Sequence, residues 1–204
     1  MSNKSALDAV FSHLTDRYCC YNGALQSMKM RPQEFKHYLH HGATTNGLAN
    51  ALANGLICWW LIKDKGLVTW WGASNFGADL LATGFLLPFI VTLIVIPVQR
   101  GKVRKGKVTA VAQDALPRAL KRFTTMPSSL FLQSIIFGVI GCTAIAAPTL
   151  LALFALGVNS FEPAHYAIFK GLWAGLLAFI IVYPMITIGV SPRDSAGDVV
   201  TNSR

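Results

Sequence analysis

Four stretches of the chain are apolar for long enough to cross a lipid bilayer as α-helices. A helix needs about 20 residues to span the hydrocarbon of a bilayer. The predicted spans cover residues 43–62, 78–98, 129–156 and 166–190. The second and fourth are almost continuously apolar, whereas the first contains asparagines and needs neighbouring helices to be stable in lipid. The sequence therefore predicts an all-α polytopic membrane protein with four transmembrane helices.

The composition agrees with this prediction. Hydrophobic residues fill 53% of the 204 positions and charged residues only 13%, about half of the share that is usual in soluble domains. The net charge of +9 raises nucleic-acid binding as an alternative. The basic residues flank the spans, however, which favours a role in membrane topology and predicts no nucleic-acid partner.

The positions of lysine and arginine predict the orientation of the spans. Five basic residues precede the first span, and eight lie between the second and third spans against the single acid Asp114. The loop after the first span has two and the loop after the third has none. The positive-inside rule then places both termini and the long loop in the cytoplasm. Tryptophans typical of a membrane interface mark the opposite side. They are Trp59, Trp60, Trp70 and Trp71.

Two cytoplasmic segments are predicted to be amphipathic helices on the membrane surface. Apolar residues recur at spacings of three and four over residues 5–28 and 108–123, which is the period of a helix with one apolar face. A basic helix of this kind usually lies against anionic lipid, and a protein partner is the alternative. The basic run after the second span is predicted to bind anionic headgroups. It contains Arg100, Lys102, Arg104, Lys105 and Lys107.

The two halves of the chain are predicted to be copies of one helical hairpin. An offset of 87 residues superposes Gly84 on Gly171 and Pro97 on Pro184. Each copy has two spans, so both enter the membrane in the same orientation. Chance similarity between two apolar hairpins is the alternative. The predicted organisation is an N-terminal segment (1–42), a first hairpin (43–98), a basic loop (99–128), a second hairpin (129–190) and a tail (191–204).

Matching stripes of small residues in the first and third spans predict close helix packing, because small side chains let helix backbones approach in lipid. We expect these two spans to form the inner pair and to contact each other. We also expect Pro88 and Pro148 to bend their helices. The stripes are Gly47, Ala51 and Gly55 in the first span, and Ser134, Gly138 and Cys142 in the third.

The first span also carries a stripe of amides. Asn46, Asn50 and Asn54 are spaced by four and share one side of the helix, and Gln133 repeats the polarity in the third span. Amides are costly in hydrocarbon, so this side must meet another helix or water. We expect hydrogen bonds between helices. The alternative is a polar lining for a solute path or ligand.

Two further groups of polar residues are weak candidates for chemistry. Asp79 and Lys170 are predicted to lie near the outer interface, where they either form an ion pair across helices or leave Lys170 to extend towards the headgroups. His37 and His41 lie one helical turn apart. Without a neighbouring cysteine or acid cluster they favour a pH-sensitive interfacial patch over a metal site.

Motifs of enzymes are missing from the sequence. It contains no G-x-S-x-G, no P-loop and no H-E-x-x-H, and no carboxylates are paired to face one site. We therefore expect neither catalysis nor a cofactor.

The stretch ADLLATGFLLPFIVTLIVIPVQRGKVRKG resembles the second span of small two-helix bacterial inner-membrane proteins of unknown function. The resemblance covers mainly residues 43–105, where a span ends in a proline followed by basic residues. It implies a tandem version of such a protein in the bacterial cytoplasmic membrane. It implies no activity.

Together these features predict a non-enzymatic membrane protein that is an accessory or scaffold subunit of a membrane assembly. The alternative is a small permease or channel-like module lined by the amides of spans one and three. Both functions predict a homo-oligomer or a membrane-protein partner, because four helices by themselves leave little space for a solute path.

Overall fold

The computed structural model describes residues 31–72, 74–111, 116 and 118–191. Long helices dominate this part of the chain, and two short strands join the loops between them. In chain order the elements are α1 (Pro32–Ile62), β1 (Val68–Thr69), α2 (Phe76–Arg104), α3 (Arg118–Thr124), α4 (Leu130–Ala155), β2 (Ser160–Phe161) and α5 (Pro163–Val190).

Three of these helices, α2, α4 and α5, are long and apolar enough to cross a membrane. Their most apolar windows have a mean hydropathy of 2.4, 2.1 and 2.1. The helix α1 is longer, with 31 residues, but its histidines, threonines and asparagines keep it out of this group. A fourth span over residues 43–62 therefore stays a prediction.

The long helices pack in the order α1, α5, α2, α4. This order differs from the expectation that spans one and three form the inner pair. The helices α5 and α2 take the inner positions, and no extended contact joins α1 to α4 within the described residues. The reason is that α2 and α5 have small residues of their own. The small-residue stripe of α1 packs against α5, and the stripe of α4 packs against α2.

The contact between α1 and α5 is a seam of small residues. A methyl group added at Gly171 would lie 2.9 Å from the carbonyl oxygen of Ala51, and one added at Gly175 would lie 2.9 Å from that of Gly47. A methyl group at Gly55 would be 3.4 Å from the Cα atom of Gly171. The first small-residue stripe thus faces α5, where the two backbones are in direct contact.

The contact between α4 and α2 has the same character. A methyl group added at Gly138 would lie 3.1 Å from the carbonyl oxygen of Phe85, and one added at Gly84 would lie 3.5 Å from the Cα atom of Cys142. Ser134 is fully buried, and its hydroxyl donates to the carbonyl of Leu130 at 2.9 Å. The second stripe therefore faces α2 and not α1.

The prolines affect the two helices differently. In α4 a π-helical turn, Gly141–Ala146, ends two residues before Pro148. A proline has no N–H and its ring crowds the carbonyl four residues earlier, and a wider turn relieves that crowding. In α2, Pro88 lies inside a continuous helix, and its carbonyl accepts a hydrogen bond of 2.7 Å from the hydroxyl of Thr92.

The loops at one end of the bundle are joined by β1 and β2, which pair antiparallel with Val68 opposite Phe161. The indole of Trp70 donates to the carbonyl of Val158 at 2.7 Å. The ring of Phe76 packs against that of Phe161 at 5.3 Å between centroids. These contacts hold the starts of α2 and α5 side by side, and we call this end of the bundle the loop end.

The predicted surface helix over residues 108–123 is present only in part among the residues of this range that the structure describes. Arg118–Thr124 is helical, whereas residues 108–111 and 116 are not. The backbone N–H of Val111 instead donates to the carbonyl of Val190 at 3.1 Å, which ties this segment to the end of α5. The helix predicted over residues 5–28 lies outside the described residues, and so do the tail residues 192–204.

Candidate functional site

Asp79 lies in the first turn of α2, close to the loop end. The helix begins after Asn75, whose side-chain oxygen accepts a hydrogen bond of 3.1 Å from the backbone N–H of Ala78. A carboxylate in the first turn is favoured by the partial positive charge of a helix N-terminus. Local sequence therefore sets both the start of α2 and the position of this acid.

A lysine and a tyrosine of α5 converge on this carboxylate. The Nζ atom of Lys170 donates to both oxygens of Asp79 at 2.6 Å, and the hydroxyl of Tyr166 donates to Oδ2 at 2.5 Å. Tyr166 and Lys170 are one helical turn apart, so both face the same part of α2. We call Asp79, Tyr166 and Lys170 the polar cluster.

The polar cluster is largely enclosed. Tyr166 is 1% exposed, and the side chains of Lys170 and Asp79 are 12% and 35% exposed. The sequence suggested Asp79 and Lys170 as a possible ion pair, and in the structure they form one. It did not suggest Tyr166, although the offset of 87 residues places Tyr166 on Asp79.

A cavity of about 310 Å³ adjoins the polar cluster. It lies between the end of α1, the loop that follows, and the starts of α2 and α5. Its wall combines charged and polar side chains with apolar ones. The lining residues that carry polar atoms are Cys58, Lys65, Ser74, Asn75, Asp79, Tyr166 and Lys170.

The amide stripe of α1 does not form the expected bonds between helices. The Nδ2 atoms of Asn46, Asn50 and Asn54 donate at 2.9–3.0 Å to carbonyl oxygens four residues earlier in α1 itself. All three side chains are half-buried. The amides are therefore partly satisfied by their own helix and partly open to the surroundings of α1.

Gln133 does not extend that stripe. It is 2% exposed in α4, and its Nε2 atom donates to the carbonyl of Pro127 at 2.7 Å. Its Oε1 atom is buried and has no hydrogen-bond partner within the described residues. Gln133 thus bonds to the segment before α4, whereas the three asparagines bond to carbonyl oxygens of α1 itself.

The histidines before the first predicted span are exposed on α1. His37 and His41 line a shallow cleft of about 500 Å³ together with Lys36, His40 and Thr44. The Nδ1 atom of His40 is 3.0 Å from the hydroxyl of Thr44. Over the described ranges, no three His, Cys, Asp or Glu side chains are grouped so that they can hold a metal ion.

The predicted headgroup-binding residues lie in the last turns of α2 and directly after it. Arg104, Lys105 and Lys107 are exposed, whereas Arg100 and Lys102 are half-buried. Lys102 has a local role, because its Nζ atom lies 3.4 Å from the hydroxyl of Tyr38 and 5.7 Å from the centre of that ring. The hydroxyl of Tyr38 donates in turn to Gln99 at 2.5 Å, which ties α1 to α2 at the end opposite the loop end.

An apolar groove of about 490 Å³ runs along the seam between α1 and α5. Ala51, Gly55 and Gly171 contribute to its lining, and Leu52 and Leu56, each 65% exposed, stand at its rim. Positions 50 and 52 differ by about 200° around a helix. The groove and the amide stripe thus lie on different sides of α1.

Comparisons with known proteins give no relative for this chain. No protein-family model, no curated protein and no solved structure matches it. The resemblance to small two-helix membrane proteins stays a prediction.

Proposed function

We propose that this protein is a non-enzymatic membrane protein that acts as an accessory or scaffold subunit, with α1 as the helix that meets a partner. One observation carries the proposal. Asn46, Asn50 and Asn54 are half-buried, and within the described part of the chain none of them bonds to another helix. This side of α1 is therefore left without hydrogen bonds from other helices in the described part of the chain.

The free energy of polar groups in lipid explains why this surface favours a partner. Each amide has two N–H donors and a carbonyl acceptor, and the bond to the preceding turn uses only one donor. The remaining groups cost free energy in hydrocarbon unless protein or water meets them. A helix of a second subunit that covers the stripe removes this cost, and interhelical amide bonds contribute about 1 kcal/mol each in membranes.

The proposal includes four spans, with α1 crossing the membrane beside α5. It includes cytoplasmic termini in a bacterial cytoplasmic membrane. The distribution of charge supports this orientation. Basic residues cluster where α2 ends, and the tryptophans Trp59, Trp60, Trp70 and Trp71 lie at the loop end.

We further propose that the two hairpins are repeats. The close approach of Gly55 to Gly171 between α1 and α5 has a counterpart in that of Cys142 to Gly84 between α4 and α2. Gly55 and Cys142 are 87 positions apart, and so are Gly84 and Gly171. The second contact therefore joins the counterparts of the two residues in the first. A duplicated hairpin whose helices pack across the two halves accounts for both contacts.

The competing function is a solute path along the same amides. It requires water to reach the stripe, most simply at an axis between subunits. Asn46, Asn50 and Asn54 line neither the cavity at the polar cluster nor the groove on α1.

Cysteine substitution distinguishes the two functions. Asn50→Cys and Asn54→Cys are introduced into a full-length chain whose native cysteines are replaced by alanine. Leu52→Cys on the other side of α1 is the matched control. In native membranes we expect the first two cysteines not to react with a water-soluble maleimide. On oxidation we expect each of them to form a cross-link to a protein of defined mass. Leu52→Cys should not form that cross-link.

The mass of the cross-linked product identifies the partner. Twice the mass of the chain indicates a homo-oligomer, and any other mass indicates a different subunit. Reaction with the maleimide in membranes supports the solute path and overturns the scaffold proposal. A stripe that excludes water and cross-links to no protein also overturns it.

A further inference from the structure

The cavity beside the polar cluster has features of a binding site that packing alone does not explain. An ion pair in apolar surroundings stabilises a protein little, because desolvation offsets its attraction. Ionisable side chains at membrane depth are more often associated with function. Here the ion pair of Asp79 and Lys170 forms part of the wall of a 310 Å³ cavity, which is within the usual size range of ligand pockets.

The charges in this cavity do not cancel. The ammonium of Lys170 is neutralised by Asp79 at 2.6 Å. Lys65 also lines the cavity and forms no ion pair within the described residues. The neighbouring Lys63 differs, since it lies 3.8 Å from Asp64 and outside the cavity lining. The cavity therefore has one positive charge that no residue of its wall balances.

The hydrogen-bonding groups of the wall favour an anion over a cation. Both oxygens of Asp79 already accept hydrogen bonds, from Lys170 and Tyr166. A cation would have to compete with an ammonium for that carboxylate. Lys65, Lys170 and Ser74 all line the cavity, and their side chains have N–H or O–H groups that can donate to an anion.

We propose that this cavity binds a phosphate or carboxylate group, with Lys65 as its main counter-charge. The site goes beyond the scaffold function, which depends on α1 and its amide stripe. The anion has two possible sources. It is either the phosphate of a lipid headgroup at the level of the tryptophans, or a small soluble anion that enters from the loop end.

Two probes on the full-length protein distinguish the sources. Inorganic phosphate is titrated calorimetrically into protein in a non-ionic detergent at constant ionic strength. Retention of phosphatidylglycerol over phosphatidylcholine is measured by native mass spectrometry after release from nanodiscs. Lys65→Gln removes the proposed counter-charge, and Lys63→Gln removes an equal charge two residues away, outside the cavity.

We expect wild-type protein to bind in at least one of the two measurements, and Lys65→Gln to weaken that binding about tenfold, as for one charge-assisted hydrogen bond. Lys65→Arg should restore it, and Lys63→Gln should leave it unchanged. Binding of phosphate alone identifies a soluble anion, and selective retention of phosphatidylglycerol alone identifies a headgroup. Failure of both probes overturns the proposal. So does equal weakening by Lys63→Gln and Lys65→Gln, which would indicate only diffuse surface charge.

Discussion

Asp79 and Tyr166 are 87 positions apart in the chain and are joined by a hydrogen bond of 2.5 Å between α2 and α5. The same number relates the two hairpins in the proposed repeat. A residue and its own counterpart can touch only near the axis that relates the two copies. The polar cluster would therefore lie on that axis, where two originally equivalent positions now hold a carboxylate and a phenol.

The ion pair within the polar cluster should show strong coupling between its two partners. Asp79→Asn leaves the ammonium of Lys170 largely buried without a counter-charge, and we expect a loss of about 2–3 kcal/mol in the free energy of unfolding. This value is reduced from that of a fully buried pair because Asp79 is 35% exposed. The double variant Asp79→Asn/Lys170→Met should regain most of the loss. Chemical denaturation in mixed micelles measures both, and additive losses would contradict the coupling.

The seam between α1 and α5 should not tolerate an added methyl group. In Gly171→Ala the new Cβ would lie 2.9 Å from the carbonyl oxygen of Ala51, and a helix backbone cannot move away as a flexible side chain can. We expect a loss of about 1–3 kcal/mol. Gly101→Ala is the matched control, because Gly101 lies in α2 and has no atom within 4 Å of an added Cβ. That control should be neutral or gain up to about 1 kcal/mol. Equal effects at both positions would contradict the packing.

The order of the helices predicts which cysteine pairs form disulfides. An added Cβ at Gly47 lies 3.2 Å from the Cβ of Phe179, close to the separation found in disulfides. The pair Gly47→Cys/Phe179→Cys should therefore form a disulfide in a chain without its native cysteines. The pair Gly47→Cys/Ser134→Cys tests the contact between spans one and three that the sequence suggested, and it should remain reduced. Oxidation followed by mass analysis of peptides measures both, and the reverse pattern would refute the order α1, α5, α2, α4.

The hydrogen bond between Tyr38 and Gln99 should stabilise the end opposite the loop end. Tyr38→Phe removes the donor and leaves the side-chain oxygen of Gln99, which is 7% exposed, without this partner. We expect a loss of about 1–2 kcal/mol in the free energy of unfolding. Tyr183→Phe provides the control, since the hydroxyl of Tyr183 has no hydrogen bond within the described residues. If the two variants unfold alike, the bond does not contribute to stability.

Much of the local structure followed from sequence patterns. The span predicted over residues 129–156 is close to α4 (Leu130–Ala155), and that over 78–98 lies within α2 (Phe76–Arg104). The helix α1 begins at Pro32, well before the span predicted over residues 43–62. Hydropathy marks only the part of a helix that suits hydrocarbon. The first polar turn is helical because Pro32 is favourable at the first helical position and Gln33, Glu34 and Lys36 are good helix formers.

The start of the surface helix predicted over residues 108–123 was wrong for a different reason, since residues 108–111 are not helical. Periodicity cannot tell a helix on a membrane from a chain segment that uses its apolar residues to cover other helices. Val111 is 1% exposed and bonds through its backbone to Val190. Tertiary contacts override the helical pattern there.

The sequence by itself predicted a helical chain with four membrane spans, three of which correspond to helices that are long and apolar enough to cross a membrane. It also identified the small residues, the acid and the lysine that matter for packing. Only the tertiary structure decided which helices meet. Small residues occur on all four long helices, so spacing along one helix cannot say which partner it packs against. For the same reason Tyr166 was missed, because its bond to Asp79 depends on two helices lying side by side.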